Sequence, residues 1–257
     1  MKLYAIKTRV IKTGDNIVDK VLQAIKKQKL CLEDGDILAF ASKVVACVEG
    51  RTVNLNNVKP SSEAEKLARR FSIKPQLAEL ILREADEIHG GVEKAVLTIK
   101  NGVLVPNAGI DNKNTPENSV TLWPGNPKKS ARIIRSEIKK KTGKKVAVLI
   151  VDSSLRPLRL GTTGLALASA GFKPIKDYRG KKDIYKKTMN ITLHAIADDL
   201  ASAAHFMMGE SAEKTPAVLI KNAQVEFTEE AYGPEEMKIS SEECIFMNSL
   251  VEKREKP

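Results

Sequence analysis

The run Lys145-Val146-Ala147-Val148-Leu149-Ile150-Val151, continuing into Asp152-Ser153-Ser154-Leu155-Arg156-Pro157-Leu158-Arg159, constrains this chain more than any other stretch. A β-branched apolar run reads as a buried strand. A carboxylate, two hydroxyls and two arginines at its end point to a strand-end site that handles anions, because guanidinium forks clamp phosphate or carboxylate through two bonds at once. A second stretch, Val105-Pro106-Asn107-Ala108-Gly109-Ile110-Asp111-Asn112-Lys113-Asn114, leads from apolar residues through a glycine turn to a lone Asp among amides. Two such loops are expected to bring Asp111 and Asp152 together around a hard divalent cation. An Asp after a Gly turn also serves simply to satisfy its own backbone, so both roles stay open for Asp111.

The 257 residues are 42% hydrophobic and 29% charged, a balance that buries a substantial core. No apolar run approaches the roughly 20 residues a membrane helix needs. The first residues, Met1-Lys2-Leu3-Tyr4-Ala5-Ile6-Lys7, form no secretory h-region, and Cys31, Cys47 and Cys244 make no CxxC pair. A reducing cytoplasm, away from membrane, is the expected compartment. The net charge of +11 is concentrated, with 18 Lys or Arg against 4 Asp or Glu in residues 128–187. Such a field gathers nucleotides and phosphorylated small molecules, and it also keeps a surface soluble. Aromatics at 4%, with no RNA-binding aromatic motif, argue against nucleic acid.

Along the chain, Gly14-Asp15-Asn16 caps a helix whose Val18, Val21, Leu22 and Ile25 share one face. Glu33-Asp34-Gly35-Asp36 turns into a strand-like run, Ile37 to Val45. Ser62 with Glu65 makes a capping box for a helix through Phe71, and Pro75 restarts another through Ile88. Asn101-Gly102 between two apolar stretches predicts a type I′ hairpin. Asn126-Pro127 opens a basic helix with Ile133, Ile134 and Ile138 inward, closed by Gly143. Gly161, Gly164 and Gly171 punctuate a small-residue segment suited to close backbone approach. A helix is expected from Asn190 to Met208, with His194, Asp198 and His205 on its polar side, where His194 and Asp198 suit either a metal or solvent. A strand follows from Ala217. The order fits an α+β fold, one unit over residues 1–257 with no clean linker. Neither a GxxxxGK[ST] loop nor a GxGxxG after a strand is present.

Several segments, in order, resemble the coenzyme F420-0:L-glutamate ligase family, the γ-glutamyl ligases. They are Ile11-Lys12-Thr13-Gly14-Asp15, Glu33-Asp34-Gly35-Asp36, Ser42-Lys43-Val44-Val45 with Glu49-Gly50-Arg51, and Asn107-Ala108-Gly109-Ile110-Asp111 with Asn114. Asp152-Ser153 with Arg156-Pro157 and Arg159, Asp177 with Arg179-Gly180, Asp183 and Tyr185, Ala197-Asp198-Asp199-Leu200-Ala201, and Met208-Gly209-Glu210 complete the series. The resemblance implies two intertwined mixed α/β lobes, a homodimer, GTP as phosphoryl donor and Mg²⁺ or Mn²⁺ as cofactor. By the same resemblance, Asp111, Asp152 and Arg156 are catalytic candidates, Asp111 and Asp152 hold one metal, and Ser153 and Glu210 lie near a second. Thr8, Arg9, Val10, Ile11, Ser42, Lys43, Cys47, Asn114, Met208, Gly209, Glu210 and Ser211 would surround the nucleotide. The reaction implied adds L-glutamate to F420-0, a phosphorylated deazaflavin, or to a related acceptor, through an acyl phosphate. A folate-like acceptor, or a homologue that binds nucleotide or nucleic acid without turnover, are the alternatives. Cys47 stands where the family carries a lysine, Lys113 where it carries serine, and Leu155 and Lys186 where it carries glycine.

Overall fold

The computed structural model describes residues 1–252, with side chains through Ser249. Residues 253–257 of the expected 1–257 unit lie outside the described residues. The elements run β1 (Lys2–Ile6), α1 (Ile17–Lys27), β2 (Ile37–Ala41), α2 (Ser42–Val48), β3 (Thr52–Asn54), α3 (Ser62–Phe71) and α4 (Pro75–Glu84). There follow β4 (Glu87–Val92), β5 (Ala95–Lys100), β6 (Val103–Pro106), β7 (Ser119–Thr121), α5 (Pro127–Thr142), β8 (Ala147–Leu155) and β9 (Thr162–Phe172). The remainder is β10 (Lys176–Asp177), β11 (Leu193–His194), α6 (Ile196–Met208), β12 (Ala217–Lys221), β13 (Phe227–Tyr232) and α7 (Ile245–Glu252).

A six-stranded sheet in the order β1-β12-β2-β8-β9-β13 forms the centre. Its pairs are antiparallel except β2 with β8, which run parallel with Ile37 opposite Ala147 and Ala41 opposite Val151. The class is α+β, as the sequence predicts. Because strand side chains alternate faces, β8 sends Val148 and Ile150 to one layer with α1 and α5, and Ala147, Leu149 and Val151 to the other with α6. Both layers are apolar, which explains why β8 reads as an unbroken apolar run. A separate cluster of Leu55, Phe71, Leu80, Ile81, Val96, Val120 and Leu122 joins α3 and α4 to the smaller sheets β4-β5-β6 and β3-β7.

Local predictions hold where the backbone alone decides. Asn101 and Gly102 take φ of 51° and 74°, as a type I′ hairpin requires, and Gly143 closes α5 at φ 72°. Gly164 gives the expected close approach: a Cβ there would lie 2.2 Å from the Ala201 carbonyl oxygen of α6. Lys186 sits at φ 63°, a left-handed conformation costing roughly 1–2 kcal/mol for a side-chain-bearing residue.

Several local predictions are corrected, among them the cap of α3, where Ser61 and not Ser62 accepts the Ala64 N–H, at 3.2 Å. The Ile37–Val45 run is not one strand, since β2 stops at Ala41 and α2 begins at Ser42; a short apolar run has no periodicity to separate the two states. The helix from Pro75 ends at Glu84 instead of Ile88, because Glu87–Val92 is drawn into pairing with β5. The last long helix starts at Ile196, not Asn190, and His194 belongs to β11 opposite Lys176. His194 and Asp198 therefore share no helix face: His194 meets Asp199 at 2.5 Å, while Asp198 accepts the Ala166 N–H at 2.9 Å. Finally, Ile133 is 52% exposed, while Ala131, Ile134 and Ile138 carry the buried face of α5.

Candidate functional site

The parallel register of β2 and β8 places Ser42 and Asp152 one residue beyond the same rung. Asp152 lies inside β8, not at its end, opposite Leu165 of β9. Ser42, the first residue of α2, donates its hydroxyl to Asp152 Oδ1 at 3.0 Å, and Trp123 donates its indole N–H to Oδ2. Burial pushes the Asp152 carboxyl above the ordinary aspartate value, and the nearby Asp111 charge pushes the same way; the bonds from Trp123 and Ser42 only partly offset this.

Asp111 is delivered by a turn in which Asn107, Ala108 and Gly109 all have positive φ (52°, 52° and 72°), after which it bridges to Thr121. The turn brings Gly109 against the indole, where a Cβ would fall 2.1 Å from Trp123 Nε1. Lys43, next to Ser42 on α2, reaches across to Asp111 Oδ2 at 2.6 Å and donates to the Lys113 carbonyl at 2.6 Å. Asp111 Oδ1 accepts the Lys113 N–H at 2.7 Å.

Glu210 follows α6 through Gly209, at φ 74°. Its Oε1 accepts from Thr162 Oγ1 at 2.6 Å and lies 2.9 Å from His205 Nε2, and its Oε2 pairs with Lys113 Nζ at 3.1 Å. Burial pushes this carboxyl up, but the bonds from Thr162, Lys113 and His205 outweigh it and bring the pKa down to about 2. The Asn114 amide donates to the Ser211 carbonyl at 2.7 Å, a second tie between the Asp111 and Glu210 loops. Lys113, beside Asp111 in sequence, thus carries a cation to the second carboxylate.

The remaining candidates divide by contact. The Thr8 N–H donates to the Lys214 carbonyl at 3.1 Å, and Cys47 Sγ lies 3.9 Å from the Ile11 carbonyl, so the 8–11 segment runs between the loop after Ser211 and α2. Arg9 and Val10 are exposed there. Cys47 is one turn after Lys43, on the same side of α2. The Met208 side chain packs into the core beneath α6. Ser153 alternates to the face opposite Asp152 and pairs with Gly164, on the layer that α6 covers. Arg156 donates to Thr163 Oγ1 at 3.2 Å, beside the Thr162 that holds Glu210, and its charge bears on Asp198. A cleft of about 360 Å³ opens between Thr162, Ser202, His205, Phe206 and Glu210. A cleft of about 440 Å³ near Glu87, Gly102, Lys238 and Glu243 shares none of these residues.

Trp123 escapes a sequence reading built on charged residues. The available signal is that it is the chain's only tryptophan, within Leu122-Trp123-Pro124, and that a buried indole N–H needs an acceptor. Glu49 and Arg51 turn out to brace this region: Glu49 takes the Gly125 N–H at 3.0 Å and the Ser130 hydroxyl, and Arg51 pairs with Glu84 at 2.9 Å and donates to the Trp123 carbonyl at 3.1 Å.

No three His, Cys, Asp or Glu side chains converge as a metal cluster among the described residues. The donors present are nonetheless suited to Mg²⁺ or Mn²⁺, which are held through one or two carboxylates with phosphate oxygens and water completing the shell. Two neighbouring carboxylates, one of them buried and carrying a raised pKa, make a place where added positive charge is favourable.

Residues 5–222 match the family model described as F420-0:Gamma-glutamyl ligase. A coenzyme F420:L-glutamate ligase from Methanopyrus kandleri is 36% identical over 227 residues, 88% of this chain and 88% of that protein. Proteins of the same name from Methanothermobacter thermautotrophicus and Methanosarcina mazei are 37% and 35% identical, covering 82% and 93% of this chain and 84% and 95% of theirs.

Proposed function

From its membership in the F420-0:gamma-glutamyl ligase family, to which this chain belongs, we propose that it joins L-glutamate to F420-0 or a related phosphorylated acceptor, with GTP as the phosphoryl donor and Mg²⁺ or Mn²⁺ as cofactor. The observation that carries the reading is the Asp111 carboxylate close enough for its charge to act on buried Asp152, with Lys43 and Ser42 from one helix start touching one carboxylate each. A divalent ion bound there would neutralise phosphate oxygens as a Lewis acid.

The chain's own groups have definite tasks in this scheme. An acceptor carboxylate attacks the γ-phosphate, releasing nucleoside diphosphate and leaving an acyl phosphate; the glutamate amine then attacks the acyl carbon and expels phosphate. Lys43 and Lys113, now paired with Asp111 and Glu210, are placed to turn toward phosphate oxygens as charge develops. Lys113 offers near the phosphates the charge that Cys47 does not. Ser42 and Trp123 fix Asp152, while Thr162 and His205 hold Glu210 at the mouth of the smaller cleft. Arg156 would meet an acidic group of acceptor or glutamate. A homodimer is part of the same proposal, supported by apolar side chains open to solvent at Leu158, Leu160, Ile184, Ile191 and Phe206; sedimentation velocity checks it. No described helix is long and apolar enough to cross a membrane.

The test is glutamate-dependent phosphate release with GTP, Mg²⁺ or Mn²⁺ and F420-0, products being identified by mass. A glutamyl adduct, lost in both Asp111→Asn and Asp152→Asn, is expected. An adduct with a folate-like acceptor alone redirects the substrate, and nucleotide binding without any adduct defeats the ligase reading.

A further inference from the structure

Asp152 is oriented by a residue that nothing in the family match singles out. Its Oδ2 receives the indole N–H of Trp123, the chain's only tryptophan, which is 2% exposed. That indole is fixed on several sides. Gly109 packs so close that any side chain there would strike Nε1, Lys100 Nζ stands 5.5 Å over the ring, and Arg51 holds the Trp123 carbonyl at 3.1 Å. Lys100 and Arg51 are in turn both bound to Glu84. Any backbone carbonyl would satisfy the N–H of a tryptophan that merely fills a core. Here the acceptor is a charged carboxylate of the candidate site.

The two side-chain donors on Asp152 differ in stiffness. The Ser42 hydroxyl on Oδ1 rotates about one bond, whereas the indole N–H direction is set by the packed ring. A carboxylate offers about four acceptor positions, so these two bonds leave both oxygens with capacity for a ligand. We propose that Trp123 is a positioning residue, whose N–H holds the Asp152 carboxylate in the orientation that receives a divalent cation shared with Asp111. This rests on reading Asp111 and Asp152 as metal carboxylates. Partners of this kind, behind a metal ligand, commonly govern affinity by tenfold to a hundredfold.

A lone tryptophan permits a direct test. Biosynthetic replacement of Trp123 by its benzothiophene analogue keeps the two-ring shape and removes only the N–H; Trp123→Phe is the second variant. Mn²⁺ binding to the full chain, with and without GTP, is measured from the electron paramagnetic resonance of the free ion, alongside thermal unfolding. Mn²⁺ is expected to quench the wild-type Trp123 fluorescence, and Asp152→Asn to abolish the quench. The benzothiophene protein is expected to bind Mn²⁺ about 10- to 100-fold more weakly, with its unfolding midpoint little changed. Wild-type affinity in the benzothiophene protein overturns the positioning role while leaving the metal reading intact; Mn²⁺ binding without quenching puts the ion away from Asp152 and overturns both. No Mn²⁺ binding to the wild-type protein in either condition overturns the metal reading and this inference with it.

Discussion

Burial and the neighbouring Asp111 raise the Asp152 pKa, so the folded chain favours the neutral form of this carboxyl more than the unfolded chain does. Carrying its charge in the folded chain is therefore a cost to folding. Asp152→Asn keeps an acceptor for Trp123 and a donor for Ser42 while removing that charge. It is expected to abolish turnover and to raise the thermal midpoint; calorimetry checks it, and a lowered midpoint contradicts the account. Glu210 behaves oppositely. Its folded pKa lies near 2 against an ordinary 4.5, so its contribution to stability is present above 4.5 and is lost as pH falls from there through 2. Replacing it by Gln should flatten that part of the acid-unfolding curve, and Lys113→Ala should move the Glu210 midpoint upward in carboxyl NMR.

Gly164 decides how β9 and α6 pack. Gly164→Ala drives a methyl into the Ala201 backbone and is expected to cost about 1–3 kcal/mol or more, read from urea unfolding. The sequence announces this element well, since a glycine among small residues predicts close approach. It also announces β8, α5 and the Asn101-Gly102 hairpin, whose signals are local. It conceals the start of α2, because Ser42-Lys43-Val44-Val45 continues an apolar run with no break at the turn from strand to helix. Asp111 and Asp152 are singled out by their chemistry and Lys43 only by the family resemblance, and the fold brings the three together. Trp123 is not, because its role appears only when β7 and the glycine turn bring it against a strand 29 residues later. The supposed pair His194 and Asp198 fails for a related reason: spacing predicts a shared face only if both residues are helical.

Over the whole molecule the excess positive charge lies in residues 128–187, which carry α5, the β8–β9 hairpin and the exposed stretch between β10 and β11. Arg156, Arg159, Lys181, Lys182, Lys186 and Lys187 are open to solvent, so their pull on anionic substrates acts through water and is screened by salt. Raising ionic strength from about 0.05 to about 0.5 M, which shortens the screening length roughly threefold, is expected to raise KM for nucleotide and acceptor while leaving kcat nearly unchanged. An unchanged KM across that range would place this charge outside substrate capture.

Two parallel neighbours in the sheet, β2 and β8, lead into Ser42 and Asp152 from the same rung. A slip of one residue between them would turn alternate side chains to the wrong layer and separate hydroxyl from carboxylate together. Assembly of the Ser42–Asp152 contact and correct strand pairing are thus one event. The exposed loops beyond the strands carry no such constraint. They can vary in sequence while the paired strands keep Ser42 and Asp152 in contact.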